Sequence, residues 1–281
     1  MRIFHLSDIH FGLVDRQALD WARHCIEQEQ PDAVAITGDL TMRARHREYD
    51  EAIDWIRALD VPVTVNIGNH DMPYFNLIER FFAPYKRFRE IEDKIECEVD
   101  LEGVAIVPLK TTARAQWRTN WSKGRITRSA LEKTLDMIDA LPEGTRVIVS
   151  AHHPLVETGT HGTALTRGGA NALEELARRR VLAVLSGHVH DPFDLVEETA
   201  AGPVRMIGAG TLSQRIRSTP CSFNEIAVEP RGLSVRVRNI GDVPTPDMQI
   251  DDVPQDAMPP RKSNEPVSAV ATVPERDPPV H

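Results

Sequence analysis

Short apolar segments alternate with amphipathic helical segments through much of this chain, and this alternation constrains the fold more than any other feature. Strands are predicted at residues 3–6, 33–36, 61–67, 147–150 and 181–186, and helices at 18–27, 49–59, from about 73, from about 129 and at 171–180. A hairpin is predicted from residues 95–99 and 104–109, and only strands follow residue 193, at 193–196, 204–207, 223–228 and 233–237. The Ser129-x-x-Glu132 spacing predicts a capping box at one helix start. The pattern as a whole predicts an α/β fold, with two sheets packed face to face and helices outside.

The end of the chain differs in composition from the rest. Residues 241–281 contain nine of the 20 prolines, and no Phe, Trp or Tyr follows Phe223. A segment of this kind buries too little apolar surface to offset the entropy lost on ordering. We therefore predict one folded domain over residues 1–240 and a disordered tail over residues 241–281.

Composition narrows the classes of partner and compartment. The chain has 33 Lys and Arg against 42 Asp and Glu, a net charge of −9, which disfavours a stable complex with long nucleic acid. Cys25, Cys97 and Cys221 lack metal-binding spacing and predict buried, reduced thiols. The N-terminus does not resemble a secretory signal, and no apolar run is long enough to cross a bilayer. A cytoplasmic location without a membrane partner is therefore expected.

Polar residues that are common metal ligands follow five of the predicted strands. These are Asp8 and His10, Asp39, Asn69 with His70 and Asp71, His152 with His153, and His188 and His190. Because the carboxyl ends of strands in strand–helix units meet at one edge, we expect these side chains to converge. Mixed oxygen and nitrogen donors without thiolate suit manganese, iron or zinc better than calcium or magnesium.

Each motif alone has another explanation. The Gly68–Asp71 tetrapeptide is also typical of a turn, Asp39 of a helix cap, and His152-His153 of a buried strand end. Their occurrence together, each at the end of a predicted strand, favours a metal site. Asp39, with two carboxylate oxygens, is suited to bridging two cations a few ångströms apart.

Other residues are assigned less specific roles. His5, His24, His46 and His281 are interpreted as structural or solvated histidines. Further residues leave two interpretations open, substrate contact or simple loop structure: His161 in a glycine-rich loop, Arg114, Trp117, Trp121 and Arg125 in a loop-rich stretch, and Arg215 and Arg217 in a later loop. Aromatic and guanidinium groups of this kind suit nucleotide bases and phosphates.

In order and spacing, the five motifs resemble those of the calcineurin-like metallophosphoesterase superfamily: DxH, GD, GNH(D/E), an HxP-type motif and GHxH. The resemblance covers about residues 1–240 and implies a four-layer α/β/β/α sandwich of two mixed sheets. It also implies two divalent metal ions, with Mn2+ or Fe2+/Fe3+ preferred and Zn2+ allowed. The implied ligands are Asp8, His10, Asp39 and His190 for one ion, and Asp39, Asn69, His152 and His188 for the other.

The resemblance also implies roles for two neighbouring residues. His70 is expected to face the substrate, where it stabilises the phosphoryl transition state or protonates the leaving oxygen. Asp71 is expected to orient His70. The implied reaction is in-line attack by a metal-bridging hydroxide, without a phosphoenzyme.

Departures from other branches of the superfamily narrow the expectation. Met42 stands where purple acid phosphatases have tyrosine, and the GDLT and GNHD sequences differ from those of protein Ser/Thr phosphatases. The recombination-repair nucleases share the SDxHxG start but carry a longer DNA-binding cap, for which this chain is expected to have no room.

The remaining branch resembles the bacterial class III cyclic-nucleotide phosphodiesterases. It implies hydrolysis of a small phosphodiester, a 3′,5′- or 2′,3′-cyclic nucleotide first among the candidates. Two alternatives stay open: a phosphomonoesterase or lipid-precursor pyrophosphatase on the same site, and a catalytically silent sensor of metal or nucleotide.

Overall fold

Two five-stranded sheets form the centre of the protein, seen in a computed structural model that describes residues 1–73, 101–112, 123–160, 166–230 and 232–243. The described strands are β1 (Arg2–Leu6), β2 (Ala33–Ile36), β3 (Val63–Val65), β4 (Val104–Leu109), β5 (Arg146–Ala151), β6 (Ala183–Ser186), β7 (Phe193–Thr199), β8 (Gly202–Gly208), β9 (Ser222–Glu229) and β10 (Gly232–Asn239). The described helices are α1 (Arg16–Glu29), α2 (His46–Arg57), α3 (Arg128–Asp139) and α4 (Gly169–Arg178).

Both sheets are mixed. The first has the strand order β10-β9-β1-β2-β3, and the second has the order β4-β5-β6-β8-β7. β1, β2 and β3 run parallel, as do β4, β5, β6 and β8. β9, β10 and β7 add antiparallel pairs at the other side of each sheet. The parallel strands of each sheet therefore present their carboxyl ends along one edge, which is where ligands bind in sheets of this type.

Alternating side chains on the strands separate the layers. Along β1, Phe4 and Leu6 pack with α1 and α2 in one buried cluster, while Ile3 packs in a second cluster with Ile148 and Leu185 of the other sheet. Successive side chains of a strand point to opposite faces, so one strand contributes to both layers. A third cluster joins the outer face of the second sheet to α3 and α4. The order of layers is α/β/β/α, as the resemblance implied.

The helix starts show how local sequence fixes the elements. α1 begins after Asp15, whose Oδ1 accepts a hydrogen bond from the Ala18 amide at 3.1 Å. α3 begins after Thr127, whose Oγ1 accepts from the Ala130 amide at 3.2 Å. The capping box predicted at Ser129 is therefore wrong. Thr127 has the extended backbone that a cap requires, while Ser129 already lies in the first helical turn.

The other predicted strands and helices among the described residues are confirmed, with ends shifted by a few residues. The strand at 104–109 is present and pairs in parallel with β5, while its predicted hairpin partner at 95–99 lies outside the described residues. The helix predicted from about residue 73 and most of the predicted tail also lie outside them. The division of the chain at residue 240 stays a prediction.

The first residues assigned to the tail pack against the domain. The Trp21 indole Nε1 donates to the Asp242 carbonyl at 3.0 Å, and Arg238 Nη2 donates to the Val243 carbonyl at 3.2 Å. Arg238 is itself fully buried and forms ion pairs with Glu29 and Glu225. Ordered chain thus continues to residue 243.

Two smaller expectations are also addressed by the structure. Cys25 and Cys221 are buried free thiols, as predicted, and Cys97 lies outside the described residues. Burial raises the pKa of both described thiols to about 11. Within the described ranges, no helix has the length and apolar character needed to span a membrane.

Candidate metal centre

The residues that follow β1, β2, β3, β5 and β6 meet at the carboxyl edges of the two sheets. His190 Nε2 lies 3.2 Å from Asp8 Oδ1 and 3.4 Å from His10 Nε2. His152 Nε2 lies 3.4 Å from Asp39 Oδ1 and 3.1 Å from Asn69 Oδ1. The first sheet thus supplies the carboxylates, the amide and His10, while the second supplies the other histidines.

Asp39 lies between the two groups of donors. Its Oδ2 is 3.8 Å from His10 Nε2, and its Oδ1 is 3.4 Å from His152 Nε2. Asp8, His10 and His190 have ligand atoms within 4.8 Å of one another, and so do Asp8, Asp39 and His152. His188 joins the second group, since its ring centroid lies 5.2 Å from that of His152. The structure thus brings together the residues that the resemblance implies as ligands, with Asp39 between the two groups.

The backbone at these positions is unusual. Asp8, His10, Asp39, His188 and His190 all have a positive φ, between 52° and 69°. Residues with a Cβ rarely adopt the left-handed region, at a cost of about 1–3 kcal/mol each, and such residues cluster at functional sites. The turns direct these side chains toward one another, which regular strand continuation would not do.

Close backbone approach makes two glycines necessary here. A Cβ on Gly68 would lie 2.1 Å from Asp39 Oδ1, and one on Gly187 would lie 2.4 Å from Asp8 Oδ2. Both distances are far inside van der Waals contact. The GN motif therefore contains glycine because Asp39 occupies the space that a side chain would need. In the GH motif that space is occupied by Ser7, whose Oγ would lie 1.7 Å from a Cβ, and by the Asp8 carboxylate.

Backbone carbonyls orient the imidazoles. His152 Nδ1 lies 2.8 Å from the Thr37 carbonyl, and His190 Nδ1 lies 2.7 Å from the Arg215 carbonyl. His10 Nδ1 lies 3.4 Å from the Thr41 carbonyl. A carbonyl can only accept, so each Nδ1 carries the proton, and each Nε2 points toward the carboxylates. Metal-binding histidines in proteins are commonly held in this way.

Burial and charge set the protonation of the group. Burial lowers the pKa of His10 to about 4, and burial together with the nearby His152 lowers that of His188 to about 3. Burial opposes protonation of His152 as well, but the Asp39 carboxylate outweighs it and raises its pKa to about 9. Asp8 and Asp39 have pKa values below the usual range, because nearby histidines outweigh their burial. The centre therefore combines two ionised carboxylates with neutral imidazoles at His10 and His188.

The surroundings of one buried oxygen, Asp8 Oδ1, indicate whether these residues fit metal ions. Asp8 Oδ1 is fully buried and, among the described residues, accepts no hydrogen bond of good geometry. An ionised oxygen in that state costs several kcal/mol unless a cation compensates it. The oxygen and nitrogen donors around it suit a divalent transition metal. The residues present fit two ions.

His70 lies beside the cluster and is half-buried. Its amide donates to Asp39 Oδ1 at 2.8 Å, and its Nδ1 lies 2.8 Å from the Met42 carbonyl. The ring packs edge-on against His10, with centroids 4.8 Å apart. With the Nδ1 proton donated to Met42, Nε2 is directed away from that carbonyl and lies 3.0 Å from Arg215 Nη1.

Asp71 fixes the loops rather than the His70 ring. Its carboxylate accepts from the amides of Leu40, Thr41 and Gly68 at 3.2, 2.8 and 2.9 Å, and from Thr41 Oγ1 at 3.0 Å. Burial and the neighbouring Asp39 raise the pKa of Asp71 to about 6. The His70 ring is oriented by the Met42 carbonyl, so any effect of Asp71 on His70 passes through the backbone.

His153, the neighbour passed over as a ligand, has a different environment. Its Nδ1 lies 2.9 Å from Thr111 Oγ1, and its ring centroid is 4.4 Å from that of His188. His152, and not His153, is the residue whose Nε2 lies beside Asp39 and Asn69. The His153 ring nevertheless belongs to a group with His152 and His188 whose ligand atoms lie within 4.8 Å of one another.

The other candidates fall into two sets. His5 is buried, with Nε2 3.0 Å from Thr37 Oγ1, while His24 and His46 are exposed. Arg125 donates its amide to the Thr111 carbonyl at 2.8 Å. Arg114, Trp117, Trp121, His161 and His281 lie outside the described residues. Sequence reasoning missed Thr37, Thr41 and Thr211 as supports, and their only signal is that each lies within a few residues of a strand end.

Two mixed sheets with a histidine–carboxylate cluster at their carboxyl edges are typical of metal-dependent phosphoesterases. The family model described as calcineurin-like phosphoesterase matches residues 1–192, and the chain belongs to that family.

Relatives and a solved structure agree with this assignment. The chain is 27% identical over 210 residues to a probable cyclic nucleotide phosphodiesterase of Synechococcus sp., in a match that covers 69% of this chain and 74% of the relative. It is 24% identical over 217 residues to a component of the SbcCD nuclease of Staphylococcus epidermidis, in a match that covers 69% of this chain but only 58% of that relative. A dimetal phosphatase from Danio rerio shares the fold, with a TM-score of 0.60, 14% identity, and coverage of 86% of this chain and 99% of that one.

Proposed function

We propose that this chain is a phosphodiesterase that uses two divalent metal ions to hydrolyse a small phosphodiester, with cyclic nucleotides as the substrate class. The observation that carries the proposal is the cluster at Asp8 Oδ1, an ionised, buried oxygen without a good donor, facing His190 Nε2 at 3.2 Å. A buried carboxylate oxygen of this kind needs a positive charge beside it, and a bound divalent cation would supply that charge.

The proposed ligands are those of the two donor groups. They are Asp8, His10, Asp39 and His190 for one ion, and Asp39, Asn69, His152 and His188 for the other. When bound, a pair of divalent ions activates water as a nucleophile and neutralises charge on a phosphoryl group. Mn2+ or iron is the proposed choice, with Zn2+ as a further candidate.

The residues of the chain supply orientation and proton handling. The carbonyls of Thr37 and Arg215 hold His152 and His190 in the tautomer that leaves Nε2 free. His70 is half-exposed beside His10, and its Nε2 is the candidate atom to contact a phosphoryl oxygen or a leaving oxygen. The buried walls around Asp8 and Asp39 keep bulk water from screening these charges.

The proposed substrate class is supported by two considerations. The match to the Synechococcus relative covers most of both chains, and its name states a cyclic nucleotide phosphodiesterase. The nuclease component is matched over 58% of its length, and the net charge of −9 disfavours a long nucleic acid. A small diester in a cytoplasmic setting is therefore the proposal, with a monoester or a pyrophosphate as the competing substrate.

A matched substrate panel tests the proposal. Manganese-loaded protein would be assayed with 3′,5′-cyclic AMP, 2′,3′-cyclic AMP, bis(p-nitrophenyl) phosphate, p-nitrophenyl phosphate, a sugar-nucleotide pyrophosphate and a single-stranded oligonucleotide. We expect fastest hydrolysis of one cyclic nucleotide, and loss of that activity in Asp39→Ala. Fastest cleavage of the monoester, the pyrophosphate or the oligonucleotide would replace the proposed substrate class. Metal binding with no turnover of any ester would favour a sensor.

A further inference from the structure

A loop formed by residues 211–219, which we call the arginine loop, is anchored beside the metal centre. Thr211 Oγ1 donates to the Asp8 carbonyl at 2.7 Å, and Ser213 Oγ accepts from the Arg215 amide at 3.3 Å. Asp191 Oδ1 accepts from the Ser218 amide at 3.1 Å. Hydrogen bonds thus hold the loop on both sides of Arg215.

Arg215 contacts the centre in two ways. Its carbonyl lies 2.7 Å from His190 Nδ1 and orients that ring. Its Nη1 lies 3.0 Å from His70 Nε2 and 3.4 Å from His10 Nε2. The guanidinium therefore covers the space between the ring of a proposed metal ligand and the ring of the proposed substrate-facing histidine.

The charge of Arg215 has no anionic partner among the described residues. None of the ion pairs found there includes Arg215, whereas the nearby Arg16, Arg45 and Arg47 each pair with a glutamate. Within the same residues, Nη2 and Nε of Arg215 make no protein hydrogen bond, so the N–H groups of these two guanidinium nitrogens are free to bind a ligand. A half-buried guanidinium with free N–H groups beside the centre is placed to bind an anion that enters the site.

From these contacts we propose that Arg215 binds the non-bridging oxygens of the substrate phosphoryl group and, with His70, lines the binding site for that group beside His10. The assignment rests on the proposed function. Guanidinium groups bind phosphate with two parallel hydrogen bonds, which an ammonium group does not reproduce. No bond is made or broken by Arg215, and its effect is on phosphate binding and on charge developed in the transition state.

One other explanation accounts for the same contacts. Nη1 is 3.4 Å from His10 Nε2, so the guanidinium is also placed to substitute for a metal ion in metal-free protein. The two explanations differ in what a variant does. A substitute cation competes with metal, so its removal strengthens metal binding and leaves phosphate binding unchanged.

The test uses Arg215→Gln and Arg215→Lys, with Arg217→Gln as the control. Arg217 is exposed and lies two residues along the same loop. Because the Arg215 carbonyl remains in each variant, we expect unchanged metal content by elemental analysis. Titration of inorganic phosphate into manganese-loaded protein by calorimetry should show binding weakened roughly 10–100-fold in Arg215→Gln, the range expected for lost hydrogen bonds to a charged group. The phosphate affinity of Arg215→Lys should lie between those of wild type and Arg215→Gln, and the phosphate affinity of Arg217→Gln should equal that of wild type.

Two results would overturn the assignment of Arg215. One is phosphate affinity in Arg215→Gln equal to that of Arg217→Gln, and the other is stronger manganese binding in Arg215→Gln with unchanged phosphate affinity. Failure of the proposed function is a separate outcome. Wild-type protein that binds phosphate through Arg215 but turns over no ester would contradict the phosphodiesterase and leave the phosphate-binding role of Arg215 in place.

Discussion

The Nε2 atoms of His10 and His190 lie 3.4 Å apart, and Asp8 Oδ1 lies 3.2 Å from the second of them. The Nδ1 atom of each ring lies against a backbone carbonyl, so both Nε2 atoms are directed at the carboxylate and at one another. Burial opposes protonation of His190, but Asp8 outweighs it and raises the pKa of His190 above its usual value. Positive charge beside Asp8 Oδ1 is therefore favoured, and a bound divalent ion would compete with a proton for that place.

Removing the Asp39 side chain should abolish binding of both metal ions. Asp39→Ala removes the oxygens that lie 3.8 Å from His10 Nε2 and 3.4 Å from His152 Nε2. We expect the variant to retain neither ion after reconstitution with manganese and desalting, measured by elemental analysis. Asp20→Ala removes an exposed carboxylate and should bind as wild type does. Retention of one full ion by Asp39→Ala would show that Asp39 serves a single site.

The His70→Ala variant should lose turnover while keeping its metal ions. His70→Ala removes a ring that contacts Met42, His10 and Arg215, while its amide bond to Asp39 remains. We expect metal content equal to wild type and turnover of the best diester reduced by roughly 10²–10⁴-fold, the usual range for a proton-transferring group. Metal loss as large as that of Asp39→Ala would instead place His70 among the ligands.

Asp71 should act mainly on stability. Its carboxylate accepts from three amides and one hydroxyl of the loops after β2 and β3. Asp71→Ala leaves those donors without their acceptor, and we expect the free energy of unfolding of metal-free protein to fall by about 2–3 kcal/mol. Urea denaturation measures this loss. The exposed-site control Asp50→Ala should change the free energy of unfolding by less than about 0.5 kcal/mol. An equally small change in Asp71→Ala would show that the Asp71 carboxylate does not stabilise these loops.

His5 should make stability depend on pH. Burial lowers the pKa of His5 to about 3 from 6.5, so between these values the folded state binds fewer protons than the unfolded state. Stability contributed by neutral His5 is therefore present above pH 6.5 and is lost progressively as the pH falls toward 3. Between pH 7.5 and 5.5 the loss is about 1.4 kcal/mol.

The comparison of two histidine variants isolates this effect. In metal-free protein, His5→Gln should show a loss of unfolding free energy between the two pH values that is smaller than that of wild type by about this amount. His24→Gln, which removes an exposed imidazole, should keep the wild-type difference. Equal pH dependence in His5→Gln and wild type would mean that His5 is not held neutral in the folded protein.

The sequence predicted the strands, the layer class and the residues at the strand ends, because short apolar runs and the polar motifs that follow them are local signals. It did not predict the positive φ of Asp8, His10, Asp39, His188 and His190, since left-handed turns at residues with a Cβ depend on the surrounding packing. The capping box at Ser129 was wrong because Thr127, two residues earlier, offers the same chemistry with the required backbone.

The residues that orient the histidines of the site could not be predicted from the sequence, for a different reason. Thr37, Met42 and Arg215 orient histidines through their backbone carbonyls, and every residue has a carbonyl. No side-chain type therefore marks these positions. Arg215 was recognised only as a basic residue near a second arginine, and its place beside His70 depends on a contact across 145 positions of sequence.

Diffraction data from manganese-soaked crystals, collected at an energy where manganese scatters anomalously, would test the central claim most directly. The account predicts two anomalous peaks, both in contact with Asp39. One would lie among Asp8, His10 and His190, and the other among Asn69, His152 and His188. A single peak, or peaks distant from Asp39, would contradict the two-metal centre.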